Sequence, residues 1–214
     1  MAGRRHSPLP ARPDLLAQQD LPRGPQQKRS ERKRTKLVDA ALELFAERGF
    51  EATTVEDIAQ SAGVAVGGFY RHFRTKRQAL LVLMDRLIGE LEGVYLGLNG
   101  VKDTRAGIEG AVRRGMVVDQ AYSGAYRAWR EAVLSDSSLK RLNLRLEQWT
   151  QARLEAVLRL AASASNARPS LDLSTLSLLL NLLFWRLAEE GPKKSSDRLI
   201  QSLTDLIYHG LFVN

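Results

Sequence analysis

The sequence predicts an all-α protein, and three observations carry that reading. From Ser30 onward, apolar residues recur at three- and four-residue spacing, as on one face of a helix. No segment alternates apolar and polar residues at period two for long enough to make a strand. The helical runs are separated by breakers at Gly49, Gly63, Gly100, Ser135-Asp136, Arg168-Pro169 and Gly191-Pro192. About nine helices follow, near 31–48, 54–61, 65–72, 76–98, 103–121, 123–135, 138–163, 172–189 and 196–211.

Residues 1–29, with Pro8, Pro10, Pro13, Pro22 and Pro25, show no period and few large apolar side chains, so a disordered basic tail is expected there. The helix near 31–48 places Leu37, Ala41, Leu44 and Phe45 at i, i+4, i+7 and i+8, and Gly49 stops it. Thr53-Thr54-Val55-Glu56 reads as a capping box for the second helix, Thr53 bonding the amide three residues on and Glu56 reaching back. Ile58, Ala59 and Ala62 form the inner face of that helix. Ala59 is small where another helix must cross closely, and Gly63 supplies the positive φ of a tight turn. Val64 and Phe69 then tuck the helix near 65–72 against its predecessor. A small residue, a glycine four later and an apolar residue six beyond it make the spacing of a helix-turn-helix. Residues 30–75 are therefore expected to form a small three-helix domain, and 76–214 a larger helical one.

The charge points the same way. The net charge is +8, and residues 1–36 carry ten Lys/Arg against three acids, leaving the remainder near neutral. An excess gathered at one end favours a polyanionic partner over a general arginine bias. In the helix-turn-helix reading, residues 65–72 are the recognition helix, whose first turns fit the DNA major groove. Phe69 and Phe73 face inward, while Val66, Gly67, Gly68, Arg71 and His72 are expected to face out. The two glycines each cost about 1 kcal/mol in helix propensity but let the backbone approach the duplex. Tyr70, His72 and Lys76 suit phosphate contacts, and Lys76 opens a helix whose amides favour an anion. Thr53 and Thr54, at another helix start, are placed to grip a phosphate across the groove. Arg32, Lys33 and Arg34 belong to a basic arm that lies along DNA or in the adjacent minor groove; the same residues also fit a non-specific polybasic tail.

The run KRTKLVDAALELFAERGFEATTVEDIAQSAGVAVGGFYRHFRTKRQAL (33–80) resembles the N-terminal domain of tetracycline-repressor-like (TetR-family) regulators. Its ALELFAERGF, TTVEDIA, AGV, FYRHF and Lys76 elements occur in the family's order over about 48 residues. The resemblance implies a DNA-binding head joined to a helical body that dimerises and holds a small-molecule effector. Two positions depart from the family pattern. Ala65 stands where Ser or Thr is usual, removing an N-cap worth about 1 kcal/mol, and Gly68 stands where Thr, Ser or Ala is common. Base reading would then lean on Arg71, Val66 and backbone shape.

In the body, LDLSTLSLLLNLLFWRLAEE (171–190) is apolar almost all round. Leu176, Leu179, Leu180, Leu183 and Leu187 form one stripe, and Leu178, Leu182 and Trp185 another, so the helix needs two neighbours. The last helix carries a narrower stripe of Leu199, Leu203, Leu206 and Ile207. Paired with symmetry mates, the two stripes are expected to form a four-helix bundle and a homodimer; a wholly internal core helix is the competing reading. For an effector, Tyr122, Tyr126 and Trp129 at i, i+4 and i+7, with Met116, Arg130, Trp149 and Asn181, are the candidate lining. An aromatic stripe at helical spacing equally fits plain core, in which case the protein is a ligand-independent or architectural DNA-binding dimer; a transcriptional activator is the other alternative to the expected effector-released repressor.

Other classes find little support. There is no cysteine, His6, His72 and His209 are scattered, and no phosphate-cradling glycine motif or activated serine is present, so no enzyme, cofactor or metal is expected. The N-terminus lacks the apolar core of a signal peptide, and LSLLLNLLFW (176–185) is too short to cross a bilayer, so a cytoplasmic protein is expected.

Overall fold

The computed structural model describes residues 11–17, 19–22, 28–96, 104–162, 167–168, 171–190 and 197–212. Among them run nine helices: α1 (Lys28–Arg48), α2 (Val55–Ser61), α3 (Val66–Tyr70), α4 (Lys76–Leu96), α5 (Thr104–Ala121), α6 (Ser123–Ser135), α7 (Ser137–Ala161), α8 (Leu173–Glu190) and α9 (Asp197–Leu211). The only β-type pairing among the described residues is one isolated bridge, Ala167 to Phe212. The breaks expected at Gly100, Pro169 and Gly191-Pro192 fall outside the described residues.

The head is α1–α3, and its turns are made as the glycines require. Gly49 ends α1 at φ 83° and Gly63 turns α2 into α3 at φ 65°, both in the left-handed region that penalises a side chain. Ile58, Ala59 and Phe69 are fully buried, as the helix-turn-helix spacing demands. The cap is shifted by one residue from the expected one. Thr54, not Thr53, is the N-cap of α2: its hydroxyl accepts from the Asp57 amide, and Asp57 accepts from the Thr54 amide. Two overlapping Thr–acid pairs occupy this stretch, and the one whose threonine can stay in water is used. Thr53 is instead fully buried, its hydroxyl donating to the Gly49 carbonyl at 2.7 Å.

Head and body share one core. Leu37, Phe45, Ile58 and Phe69 of the head belong to the same buried cluster as Leu80 and Leu83 of α4, Trp129 of α6 and Trp149 of α7. Helix α6 meets α1 at Gly124, where a Cβ would stand 2.5 Å from the Leu42 carbonyl oxygen. Only glycine allows that approach. Polar contacts reinforce the seam: Glu131 of α6 accepts from the Phe50 amide at 2.6 Å, and Arg127 donates to the Ala46 carbonyl. A second cluster joins α5, the end of α7, α8, α9 and Phe212.

The N-terminal segment departs most from expectation. Residues 11–17 and 19–22 were expected to belong to a disordered tail, yet Leu15 is fully buried in the shared core, with Leu16 and Leu21 packed against it. Arg12 donates to the Asp85 carboxylate and carbonyl, both at 2.6 Å; Gln19 accepts from Arg77, and Asp20 accepts from Arg74. Proline removes helical periodicity but does not prevent burial of a few leucines where α4 supplies a surface. Residues 1–10 and 23–27 lie outside the described residues.

Candidate nucleic-acid interface and interior cavity

Helix α3 presents a small outward face. Val66, Gly67, Tyr70 and Arg71 are exposed, and a Cβ on Gly67 would meet nothing within 4 Å. Ala65 is the N-cap and offers no side-chain bond to the first amides. Beside this face runs a groove lined by Lys28, Arg29, Arg32, Lys33 and Lys36 of α1 together with Ala62, Gly63 and Val64. Five cations against a turn rich in small residues make a strongly positive concavity, the electrostatic footprint of a phosphate backbone. Lys28 and Lys36 were legible only as part of the total charge; that they share a groove with the α2–α3 turn is a tertiary fact.

Several expected contacts are placed elsewhere. Gly68 faces inward: a Cβ there would lie 2.5 Å from Val64 Cγ1, so the glycine serves packing within the head rather than approach to a duplex. His72 is buried; burial first, then Arg34, Arg71 and Lys33 nearby, lowers its pKa and holds it neutral. Thr53 is buried, as described, leaving Thr54 as the exposed hydroxyl. Arg32, Lys33 and Arg34 sit on a regular helix, not an extended arm, because α1 begins at Lys28. Arg34 lies 5.4 Å over the Phe73 ring, and burial lowers its pKa from the usual value. Lys76 is committed inside the protein. Its ammonium donates to the carbonyls of Phe50 (2.7 Å), Thr53 (2.9 Å) and Glu51 (3.0 Å) and sits 4.6 Å over the Phe50 ring. It ties the first turn of α4 to the α1–α2 connection.

A cavity of about 120 Å³ opens inside the body, lined from α4 to α9. Its walls are mostly aliphatic, including Leu87, Ile88, Val112, Leu154 and Phe184. Of the expected lining, Tyr126 and Asn181 are present. Trp129 and Trp149 are not: both are core, and the Trp129 indole N–H donates to Asn143 at 2.8 Å. Tyr122 is buried and donates to Glu90; burial and then Glu90 push its pKa up to about 12. Met116 is buried in the second cluster and Arg130 is exposed, neither of them at the cavity. The aromatic spacing therefore marked core at two of its positions. The other lining residues were not anticipated, and two of them, Asp119 and Trp185, stand directly against Tyr126. The Asp119 carboxylate accepts from Tyr126 at 2.7 Å, and burial, partly offset by that bond, pushes its pKa up to about 6. The Trp185 ring stands edge-on to Tyr126 at 5.3 Å. An acid inside the apolar run MVVDQA (116–121) was the available signal.

The leucine stripes sort differently from the expectation. Leu180, Leu203 and Ile207 are buried in the chain's own core, and Leu176, Leu183, Leu187 and Leu199 pack half-buried against it. Leu178, Leu179 and Leu182 of α8 and Leu206 of α9 are the exposed ones, at 41%, 59%, 59% and 56%. When both faces of a helix are apolar, periodicity cannot say which is inner.

Comparison with known proteins agrees with this anatomy. The family description "Bacterial regulatory proteins, tetR family" matches residues 37–82. The transcriptional repressor KstR2 of Rhodococcus jostii is 36% identical over 103 residues, 47% of this chain and 50% of that protein, so the match spans about half of that relative. The regulator EthR of Mycolicibacterium smegmatis is 26% identical over 185 residues, covering 82% of this chain and 84% of EthR. The crystal structure of the probable transcriptional regulatory protein RHA5900 superposes with a TM-score of 0.57 at 28% identity, over 85% of this chain and 100% of that one. With its glycine-turned head and inward Phe69, the segment 37–82 is similar to the DNA-binding part of tetR-family regulatory proteins.

Proposed function

We propose that the protein is a homodimeric, sequence-specific DNA-binding regulator, a repressor released from its operator by a small apolar effector. The observation that carries this reading is the outward face of α3, Val66, Gly67, Tyr70 and Arg71, standing beside a groove lined by five cations of α1. Backbone phosphates lie in the cationic groove and fix register, while Arg71 and Val66 meet base edges in the major groove. One short helix reads few base pairs, so two copies act together. Leu178, Leu179, Leu182 and Leu206 supply an exposed apolar face for a two-fold pairing through α8 and α9. The operator is then an inverted repeat with half-sites about 34–36 Å apart.

Helix α4 connects the two functions. Its middle lines the cavity and its first residue, Lys76, holds the head. A ligand that prefers one position of α4 shifts the population of head spacings, and DNA is released when the two heads no longer match successive grooves. A cytoplasmic location accompanies this role; among the described residues no helix is long and apolar enough to cross a membrane.

The test is selection of duplexes from a random pool by the purified protein, with sedimentation of the complex. Enrichment of an inverted repeat carrying two chains supports the reading. Absence of any enriched sequence, or one chain per duplex, overturns it.

A further inference from the structure

Nineteen residues line the interior cavity, and their polar content is lopsided. One is a carboxylic acid, Asp119. None is lysine, arginine or histidine, and Tyr126 is the only other titratable side chain among them. Tyr126 donates one hydrogen bond to Asp119, at 2.7 Å. A carboxylate offers about four acceptor directions, and among the described residues no cation stands against this one. Its burial without a counter-ion raises its pKa to about 6, the response expected of an acid desolvated without compensation. Thr150 and Asn181 add neutral hydrogen-bonding groups on other walls, and the rest of the lining is aliphatic or aromatic.

We propose that the cavity takes an apolar molecule carrying a basic amine, with Asp119 as the anchor for the ammonium group and Trp185 as an apolar wall beside it. This rests on the reading of the cavity as the effector site. A protonated amine supplies the charge and the donors that Asp119 lacks. A hydroxyl supplies a donor but leaves the buried charge uncompensated. A carboxylate meets a like charge and no cation, so free fatty acids and other organic acids are rejected. The volume, about 120 Å³, is of the same order as the roughly 150 Å³ of an apolar cavity that admits benzene, so the probes are kept to a single ring.

The experiment uses four probes on one skeleton: 2-phenylethylamine, 2-phenylethanol, 3-phenylpropanoate and ethylbenzene. Binding to the full chain at pH 7.5 is measured by calorimetry and by intrinsic tryptophan fluorescence, without DNA. The amine is expected to bind at least tenfold more tightly than the alcohol, with no detectable binding of the carboxylate. In Asp119→Asn the amine falls to the affinity of the alcohol, while the alcohol stays within about twofold, which also shows the cavity intact. Should that variant fail to fold, the order of the four probes on the unmodified chain decides alone. Equal binding of amine and carboxylate, amine selectivity that survives Asp119→Asn, or no binding by any probe overturns the proposal. Operator binding is read separately, so a chain that binds the amine but no DNA refutes the regulator reading and leaves the anchor standing.

Discussion

Lys76 offers the sharpest separation between a DNA contact and a structural strut. Its ammonium donates to three main-chain carbonyls of residues 50–53 and lies against the Phe50 ring. Replacement by Met keeps the aliphatic stem and leaves those three carbonyls without their donor. Hydrogen bonds to charged groups contribute about 1.5–3 kcal/mol net. Two of the three acceptors are only part-buried and the Glu51 carbonyl is exposed, so water recovers some of the loss. A destabilisation of about 2–3 kcal/mol results, which for a chain of this size lowers Tm by about 5–10 °C. The assay pairs thermal unfolding with operator affinity measured across a salt series. The strut predicts the Tm loss and a salt slope unchanged from the parent. A phosphate contact predicts the reverse: Tm held, and the slope of log K against log salt shallower by about 0.9. That second outcome would refute the placement of Lys76.

Arg71→Ala, at an exposed position on α3, is expected to weaken operator binding by about 1–3 kcal/mol and relax sequence preference, with unfolding nearly unchanged, as competition binding and denaturation will show. Leu15→Ala removes a fully buried side chain and is expected to cost about 2–5 kcal/mol in urea unfolding, whereas a truly disordered tail would show no change. Leu178→Glu with Leu182→Glu places charges on the exposed face of α8 and is expected to give monomers in sedimentation, with loss of operator binding. For Asp119 the folded pKa, about 6, lies above the unfolded value near 3.9. The native state therefore holds the extra proton between those values, and this group's contribution to stability falls as pH rises through that window. Asp119→Asn should flatten that part of the profile in pH-resolved unfolding.

How much of this was legible follows from what each signal measures. Helix periodicity reports burial along one element, so the nine helices and the inward Ile58, Ala59 and Phe69 could be read directly. Gly49 and Gly63 could be read because positive φ is a local demand. Positions decided by a distant partner could not. Lys76 looks like an exposed helix start until the carbonyls of residues 50–53 are folded over it, and Leu15 is one of a few leucines in a proline-rich stretch until α4 provides a surface. Gly68 and Gly67 are adjacent and identical in sequence, yet only Gly68 has Val64 against it. Among the aromatic candidates, Tyr126 reaches the cavity, while Trp129 turns into the core to satisfy its indole through Asn143. The choice of inner face on α8 is likewise a tertiary decision between two apolar stripes.

The most direct test of the account is the stoichiometry and specificity of operator binding by the unmodified chain and by Arg71→Ala in parallel. With a duplex selected from a random pool, anisotropy and sedimentation are predicted to give two chains per inverted repeat and at least about a fivefold loss of affinity in the variant. One chain per duplex, or an Arg71→Ala protein that binds the same sequence equally well, would contradict it.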